Sequence, residues 1–466
     1  MPVKYSWKKG AALLGAALLM VGTLAACAPQ EDSSSLSEET VSSPYDLKND
    51  GSDTKLVVAE IFVNEERTQA LKEIAEKYEA DFPQTQIEIV TVESGEEAQA
   101  LLEKGEADLV ELSNQEQFDC VDQGLLVDLA PYLENWDELS HLTEPAKHVV
   151  TSLGEDWSYL LPATLDQDLL YYRSDWFEEY NEGKESDLVY CRIWEDLPDA
   201  VEKLQDKGAV GLVFGGKDHL IDMFDSMVWS GVNLGRLEDP AAGYFSAVED
   251  HDTVFTLEQA ATAAEQLETV VESCVPEESL TWTEEEAVDA FIQGKSITLL
   301  AGQDQMEKIS SSMEEGTWDV AAYPRGIAGV AITGLDFTGF GVAASSENVG
   351  NAVHFLTYLS NGDNNTHLSK VSGTVPIHTT AADMELSLEE SGLAVNLLMV
   401  RRADWYFYAQ EPVMYEAYDG YRDWANDLLR EFLAGKTSKQ ELLEELDSYW
   451  SQARADEGEL WTEETE

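Results

Sequence analysis

The sequence predicts an α/β fold built on a parallel sheet, and three observations support this prediction. A short apolar run at 56–63 has the composition of a strand that is buried on both faces. Apolar residues then recur at helical spacing from Ala70 to Phe82. Two further strand-like runs follow at 86–92 and 108–112, with a helical segment between them. Strands that alternate with helices over short connections indicate an α/β architecture.

Composition restricts the classes of function. The chain has 466 residues, of which 44% are hydrophobic, so it can build one large domain or two medium ones. Its formal net charge is −64 at pH 7. Such a charge repels nucleic-acid phosphates, so we expect no nucleic-acid partner. It favours solubility without identifying a ligand.

The N-terminus has the pattern of an export signal. Three lysines precede an apolar run at 11–26, which is shorter than the about 20 residues that a membrane span requires. The tetrapeptide Leu24-Ala25-Ala26-Cys27 resembles the lipobox of bacterial lipoproteins, in which the cysteine is acylated and becomes the first mature residue. A plain signal peptide, or a membrane anchor with an incidental cysteine, is the other interpretation. We predict a lipoprotein signal peptide at 1–26 and a flexible polar linker at 27–53.

The rest of the sequence lacks the patterns of metal, nucleotide and nucleophile sites. Cys120, Cys191 and Cys274 are widely spaced, which is compatible with one disulfide or with three buried thiols. The sequence contains neither HExxH nor GxSxG. The glycine-containing stretches 211–218 and 339–344 only partly match phosphate-binding and dinucleotide-binding loops. We therefore expect no cofactor, no metal and no catalytic residue.

Eight segments share the order and spacing of motifs in one family. Examples are Tyr323-Pro-Arg-Gly326 and Gly373-Thr-Val-Pro376. The segments lie at 100–112, 118–133, 159–176, 193–198, 291–302, 323–326, 349–360 and 373–376. Together they resemble the extracellular solute-binding proteins of bacterial ABC importers, in particular the maltose-binding-like, carbohydrate-associated branch. The resemblance covers residues 55–450 or so, and it departs from the family pattern before Asp108, where a proline is missing.

This resemblance implies a two-lobe, periplasmic-binding-protein-like fold with hinge crossings and a ligand cleft between the lobes. The implied N-terminal lobe comprises 54–162 and 328–372, and the implied C-terminal lobe comprises 163–327 and 373–455, followed by an acidic tail at 456–466. It implies a monomeric, lipid-anchored protein on the extracytoplasmic face of the cell membrane. Its implied role is to capture a sugar or oligosaccharide and to deliver it, by hinge closure, to the transmembrane subunits of the importer.

The resemblance and the chemistry of sugar recognition together select candidate ligand residues. Sugar rings present apolar faces to Trp or Tyr and hydroxyls to polar side chains. For Trp405 the other interpretation is core packing of an aromatic helix face, and for Asp166 it is a solvated loop position. Gln303 and Asp304 stand where the family often has a tryptophan, which leaves the ligand class open. The ten candidates are Glu60, Asn114, Gln115, Asp166, Trp229, Gln303, Asp304, Asp336, Trp405 and Tyr408.

Two kinds of alternative remain open at this stage. Several candidates are acidic, so the ligand could instead be a polyamine, a peptide or another cationic solute. From other classes of protein, the alternatives are a secreted glycan hydrolase and a surface lipoprotein that binds a protein or polysaccharide without transport. Hydrolysis would need a pair of carboxylates. With 92 acidic residues in the chain, sequence spacing cannot identify such a pair.

Overall fold

The computed structural model confirms the predicted α/β class. It describes residues 45–150, 158–184, 188, 190–232, 240–245, 253–326, 329–334, 336–374, 376–378, 406–409, 411–413 and 415–457. The predicted signal peptide, Cys27, Trp405 and most of the predicted acidic tail lie outside these residues.

The strands are β1 (Thr54–Ile61), β2 (Thr85–Val92), β3 (Leu109–Ser113), β4 (Leu161–Asp166), β5 (Asp168–Tyr172), β6 (Val210–Phe214), β7 (Ser296–Gly302), β8 (Asp319–Ala321), β9 (Ala331–Gly334), β10 (Asp336–Val342) and β11 (Tyr406–Ala409). The described α-helices are α1 (Glu65–Asp81), α2 (Gly95–Lys104), α3 (Asn114–Asp122), α4 (Ala130–Leu133), α5 (Glu144–Val150), α6 (Ser174–Asn181), α7 (Asp196–Lys203), α8 (Leu220–Val232), α9 (Glu258–Cys274), α10 (Glu284–Ile292), α11 (Met306–Ser312), α12 (Val349–Leu359), α13 (Gly362–Ser372), α14 (Tyr421–Leu433) and α15 (Lys439–Glu457).

The first sheet has the strand order β2-β1-β3-β10-β4. Strand β1 pairs in parallel with β2 and β3, whereas β10 runs antiparallel to β3 and β4. Leu56, Val58 and Ala59 are fully buried, as expected for a central strand covered by helices on both faces. The strand ends at Ile61, two residues before the end of the apolar run in the sequence. The exposed positions that follow are therefore part of a loop.

The second sheet has the order β6-β7-β5-β8. Strands β6 and β7 are parallel, and β5 is antiparallel to both β7 and β8. A separate aromatic-rich core surrounds α8, α9, α14 and α15, and it includes the fully buried side chains of Phe224, Tyr421 and Trp450. In the described part of the chain, the five-stranded and four-stranded sheets thus have their own hydrophobic cores, and β9 and β11 form a separate two-stranded sheet.

The chain passes from the first sheet to the second at Gln167, which lies between β4 and β5. On the return, β9 pairs in parallel with β11, and β10 then enters the first sheet. The chain therefore changes sheet at 166–168 and at 334–336. The lobe boundaries at 162–163 and 327–328 stay predictions. The assignment of 373–455 to the second lobe stays a prediction.

Two helix N-termini and the three cysteines of the folded part of the chain have local environments that the structure describes. The sequences Thr283-Glu-Glu-Glu286 and Ser438-Lys-Gln-Glu441 have the pattern of a capping box, which predicts a helix start at each. The first box is present at the start of α10, and the second precedes α15. Cys120, Cys191 and Cys274 are free and buried, which favours the interpretation as three buried thiols. Among the described helices, none combines the length and apolar character required to cross a membrane.

Candidate ligand-binding site

A wide hollow lies at the carboxyl edge of the first sheet, next to the ends of β1 and β2. Phe62 and Val63 follow β1 and are 43% and 49% exposed. The hollow has a volume of about 950 Å³ and lies beside the N-terminal turns of α1. Besides Phe62 it is lined by Glu65, Glu66, Thr68, Gln69, Ala70, Lys72, Glu73, Thr91, Glu93, His367 and Val371. None of the ten predicted ligand residues is among these described lining residues.

A buried ion cluster lies directly beneath this edge. Arg67, in the first turn of α1, forms two bonds to the carboxylate of Glu111, at 2.6 and 3.0 Å. Its Nη1 also lies 3.4 Å from an oxygen of Glu60. All three side chains are about fully buried. Burial raises the pKa of Glu60. Glu60 was predicted to face the ligand, but the structure encloses its carboxylate completely, because the alternation of β1 directs it inward.

Asn114 and Gln115 lie directly after β3 at the start of α3, as the strand predicted at 108–112 implies, and their contact with a ligand stays a prediction. The side chain of Gln115 donates a hydrogen bond to Asp419 at 3.1 Å, and Asp419 lies two residues before the start of α14. Burial and the charge of Asp419 raise the pKa of Asp119, farther along α3. Among the described atoms, the buried Oδ1 of Asn114 has no hydrogen-bond partner. The carboxyl edge of the first sheet therefore contacts the elements of the second core.

The corresponding edge of the second sheet carries acidic side chains. Strand β7 ends at Gly302, whose backbone N–H donates to Glu284 at 2.8 Å. The amide of Gln305 donates to both Glu284 and Asp304, at 3.0 and 2.8 Å. Burial raises the pKa of each carboxyl, and the charge of Asp304 raises that of Glu284 further. This edge thus holds excess negative charge, which suits hydroxyl or ammonium donors.

An arginine connects two more carboxylates beside this edge. Arg422, on α14, donates to Asp222 and to Glu411, each at 2.7 Å. The hydroxyl of Tyr418 donates to Glu411 at 2.7 Å, and His219 contacts Asp222 at 2.9 Å. This network was not predicted, because its members come from three segments that no local sequence pattern relates. It fixes the first turns of α8 and α14 relative to each other.

Three of the predicted ligand residues, Asp166, Asp336 and Gln303, lie near the points where the chain changes sheet. Asp166 ends β4 and pairs in register with Asp336, the first residue of β10. Gln303 is buried, and its side-chain amide donates to the backbone carbonyl of Gly373. The backbone N–H of Gln303 donates to Gln167 O at 3.2 Å. These contacts bring the first crossing, the end of β7 and the end of α13 together.

Of the three aromatic candidates, the structure describes the side chain of Trp229, and the ligand contacts of Trp405 and Tyr408 stay predictions. Trp229 lies within α8, is 2% exposed and stacks on Tyr244 in the second core. It therefore packs in the second core and does not face a ligand. Tyr408 lies in β11, paired with Thr333. Trp405 lies outside the described residues.

The arrangement suits non-covalent recognition. In the part of the chain that the structure describes, no three His, Cys, Asp or Glu side chains are grouped to hold a metal ion. The two sheet edges instead supply an exposed aromatic ring, amides, carboxylates and one arginine. Such a set can bind the hydroxyls and apolar faces of a polar, ring-containing solute.

The solved structures that resemble the chain share its fold. The maltose-bound MalE3 of T. maritima is 20% identical, with a TM-score of 0.65, and the match covers 86% of this chain and 99% of that one. An ABC substrate-binding protein from Listeria monocytogenes, Lmo0181 in complex with cycloalternan, is 16% identical over 87% and 99% of the two chains, with a TM-score of 0.63. MalE from Xanthomonas citri, a sugar-binding protein, is 14% identical over 86% and 98%, with a TM-score of 0.70.

These likenesses confirm the two-lobe periplasmic-binding-protein fold. No curated protein sequence matches the chain. The model of one family, described as bacterial extracellular solute-binding protein, matches residues 73–392, which is more than half of the chain. This family implies an extracytoplasmic location. The chain therefore belongs to the bacterial extracellular solute-binding protein family.

Proposed function

We propose that this protein is the lipid-anchored substrate-binding component of an ABC importer, and that it captures a sugar or oligosaccharide between its two lobes. The observation that carries the proposal is the contact between the carboxyl edge of the first sheet and the second core, made by the hydrogen bond from Gln115 to Asp419. The site would bind without catalysis, and hinge closure would present the ligand-bound form to the transmembrane subunits of the importer.

The relatives support a sugar as ligand. MalE3 is solved with maltose and Lmo0181 with cycloalternan. The residues at the two edges suit the same chemistry, because carboxylates and amides accept hydrogen bonds from sugar hydroxyls and an aromatic ring packs on a pyranose face. Glu284, Asp304 and Gln115 would provide the polar contacts in this proposal.

A cationic solute is the second candidate ligand. It is favoured by the second sheet edge, where burial raises the pKa of both Glu284 and Asp304. An ammonium group would compensate their charge. A glycan hydrolase remains the alternative from another class, and turnover of chromogenic glycosides by the purified protein would reveal it.

A thermal-shift screen of residues 28–466 tests the proposal first. The panel contains maltose, maltotetraose, cycloalternan, xylo-oligosaccharides, polyamines and amino acids, each in large excess. A ligand at about 100 times its dissociation constant stabilises the folded state by about 2.7 kcal/mol, which in a chain of this size corresponds to a few degrees. We expect a shift with one class of oligosaccharide, together with a smaller radius of gyration in X-ray scattering.

The other outcomes of the screen separate the candidates. A shift with polyamines alone would retain the receptor and replace the sugar by a cation. A sugar-induced shift with an unchanged radius of gyration would contradict hinge closure. Stability that no member of the panel changes would count against a small-solute receptor and in favour of an interaction lipoprotein.

A further inference from the structure

The loop after β1 exposes an aromatic ring that the fold does not use for its own core. In the described part of the chain, the large hydrophobic residues with high exposure are Tyr45, Phe62 and Val63. Two of these three are adjacent, at the carboxyl edge of the first sheet. An exposed aromatic side chain leaves apolar surface in water, so a ligand that covers it gains free energy of binding.

The backbone that carries Phe62 is held from several sides. The N–H of Phe62 itself donates to the carbonyl of Val92, at the end of β2, over 2.8 Å. The N–H of Ile61 donates to Glu111 at 3.1 Å, and Arg67 donates to the carbonyl of Ile61 at 3.1 Å. The peptide unit immediately before Phe62 is therefore fixed by the buried ion cluster.

Asn64, two residues after Phe62, anchors the other end of this loop. Asn64 caps α1 by accepting a hydrogen bond from the backbone N–H of Arg67 at 2.8 Å, and its amide donates to Val371 O in α13 at 3.2 Å. Phe62 and Val63 thus lie between two anchored residues. A loop backbone held in this way loses little conformational entropy when the side chain that it carries binds a ligand.

The hollow beside Phe62 has suitable size and lining for a sugar. Its volume of about 950 Å³ lies within the range typical of small-ligand sites. Thr91 and Glu93, at the end of β2, supply a hydroxyl and a carboxylate, and Gln69 and Lys72 supply donors from α1. A ring stacked on Phe62 would therefore meet both acceptors and donors for its hydroxyls.

We propose that Phe62 is the stacking platform for a sugar ring at the first sheet, and that Arg67, clamped to Glu111, is the positioning residue that holds this platform in place. This inference rests on the proposed function. Arg67 is buried and does not touch the ligand. It acts through the backbone of Ile61.

The experiment uses the mature chain with 4-fluorophenylalanine at position 62 and the panel of maltotetraose, cycloalternan and xylotetraose. Fluorine NMR of this residue and thermal stability are recorded in the same titrations. We expect the sugar that raises the melting temperature to shift the fluorine signal. A sugar that stabilises the protein and leaves the signal unchanged overturns the inference while the proposed function stands.

The variant Phe62→Ala tests the platform by affinity. We expect it to weaken binding of the active sugar by about tenfold, with little change in melting temperature because the ring is exposed. The matched control is Tyr45→Ala, which removes an aromatic ring of similar exposure (42%) that does not line the hollow. The inference would be overturned if Phe62→Ala bound the sugar as tightly as the unsubstituted protein does. It would also be overturned if Phe62→Ala and Tyr45→Ala lost the same sugar affinity.

The variant Arg67→Lys tests whether Arg67 positions Phe62, because lysine retains the charge but cannot form the bidentate contact with Glu111. We expect weaker sugar binding and a broadened or split fluorine signal at position 62, measured well below the melting temperature. Arg173→Lys is the control, since Arg173 forms a similar two-pronged contact with Asp175 away from this loop. Should Arg67→Lys fail to fold, Glu111→Gln gives the same measurement. A sharp, unshifted signal with unchanged affinity in the folded variant would remove Arg67 from this role.

A failure of the inference can be separated from a failure of the proposed function. If no sugar changes either the melting temperature or the fluorine signal, both fail together. If a sugar binds and only the response at position 62 is missing, the receptor function stands and the platform must be sought elsewhere.

Discussion

At the scale of single residues, burial and position at the sheet edge decide which side chains can contact a ligand. Asn114 and Gln115 were correctly expected at the end of β3, because the carboxyl ends of parallel strands follow from the strand prediction itself. Glu60 and Trp229 were also predicted to contact the ligand, but their side chains are buried. The direction of a side chain depends on strand ends and helix neighbours, which only the tertiary structure fixes.

His219 provides a prediction about pH. Burial opposes its charge, but the hydrogen bond and charge of Asp222 outweigh burial and raise its pKa from 6.5 to about 9. A raised folded-state pKa contributes stability that is fully present below 6.5 and is lost as the pH rises through 9. We expect the free energy of unfolding to fall across this window, as measured by urea denaturation.

The control is the variant His219→Gln. Its free energy of unfolding should lack the part of the decline between pH 6.5 and 9 that the titration of His219 causes. His219 is 39% exposed at its side chain, so solvent screening reduces the effect below the full linkage value. An identical pH profile for the two proteins would show that the pair with Asp222 does not contribute to stability.

At the scale of elements, local chemistry predicted the helix ends better than the strand ends. The capping boxes at Thr283 and Ser438 follow from short-range hydrogen bonding, so the sequence contains all the information that they need. The apolar run at 56–63 gave no sign that β1 ends at Ile61. That end is set by Glu111 and Arg67, which bind the backbone of Ile61 from other elements.

The cap of α15 gives a prediction at this scale. The hydroxyl of Ser438 accepts a hydrogen bond from the N–H of Glu441 at 3.2 Å, and Glu441 in turn accepts from the N–H of Ser438 at 2.9 Å. Ser438→Ala should lower the free energy of unfolding by about 1 kcal/mol, as measured by urea denaturation. Sugar affinity should remain unchanged, because α15 is part of the second core.

Ser310→Ala is the control for this prediction, because the hydroxyl of Ser310 donates only to a carbonyl of its own exposed helix turn, at 3.0 Å from Glu307 O. Similar losses of stability in the two variants would show that the effect arises from removing any helical serine and not from the cap.

At the scale of the whole molecule, the order of motifs in the sequence predicted the two-lobe fold. The same motifs did not predict the hydrogen-bond network of Arg422. Arg422 joins Asp222, which is 200 positions earlier in the chain, and Glu411. Such contacts arise only when α8 and α14 pack together. The fold therefore follows from repeated local patterns, and much of the site follows from packing between distant segments.

The proposed anchor gives a prediction at the same scale. Replacing Cys27 by alanine should abolish incorporation of labelled palmitate and release the protein from the membrane fraction of expressing bacteria. Ligand binding by the released protein should be unaffected. Palmitate incorporation that persists in the variant would assign the acyl chain to another residue.

The buried thiols have a practical consequence. Burial raises the pKa of Cys120 to about 12 and that of Cys191 well above its ordinary value, so both resist alkylation while the chain is folded. Cys120 belongs to the first core, and Cys191 to the second. Alkylation of each thiol therefore reports the unfolding of the core that contains it. Mass-spectrometric timing of alkylation at the two positions would show whether the lobes unfold together or one after the other, without any engineered label.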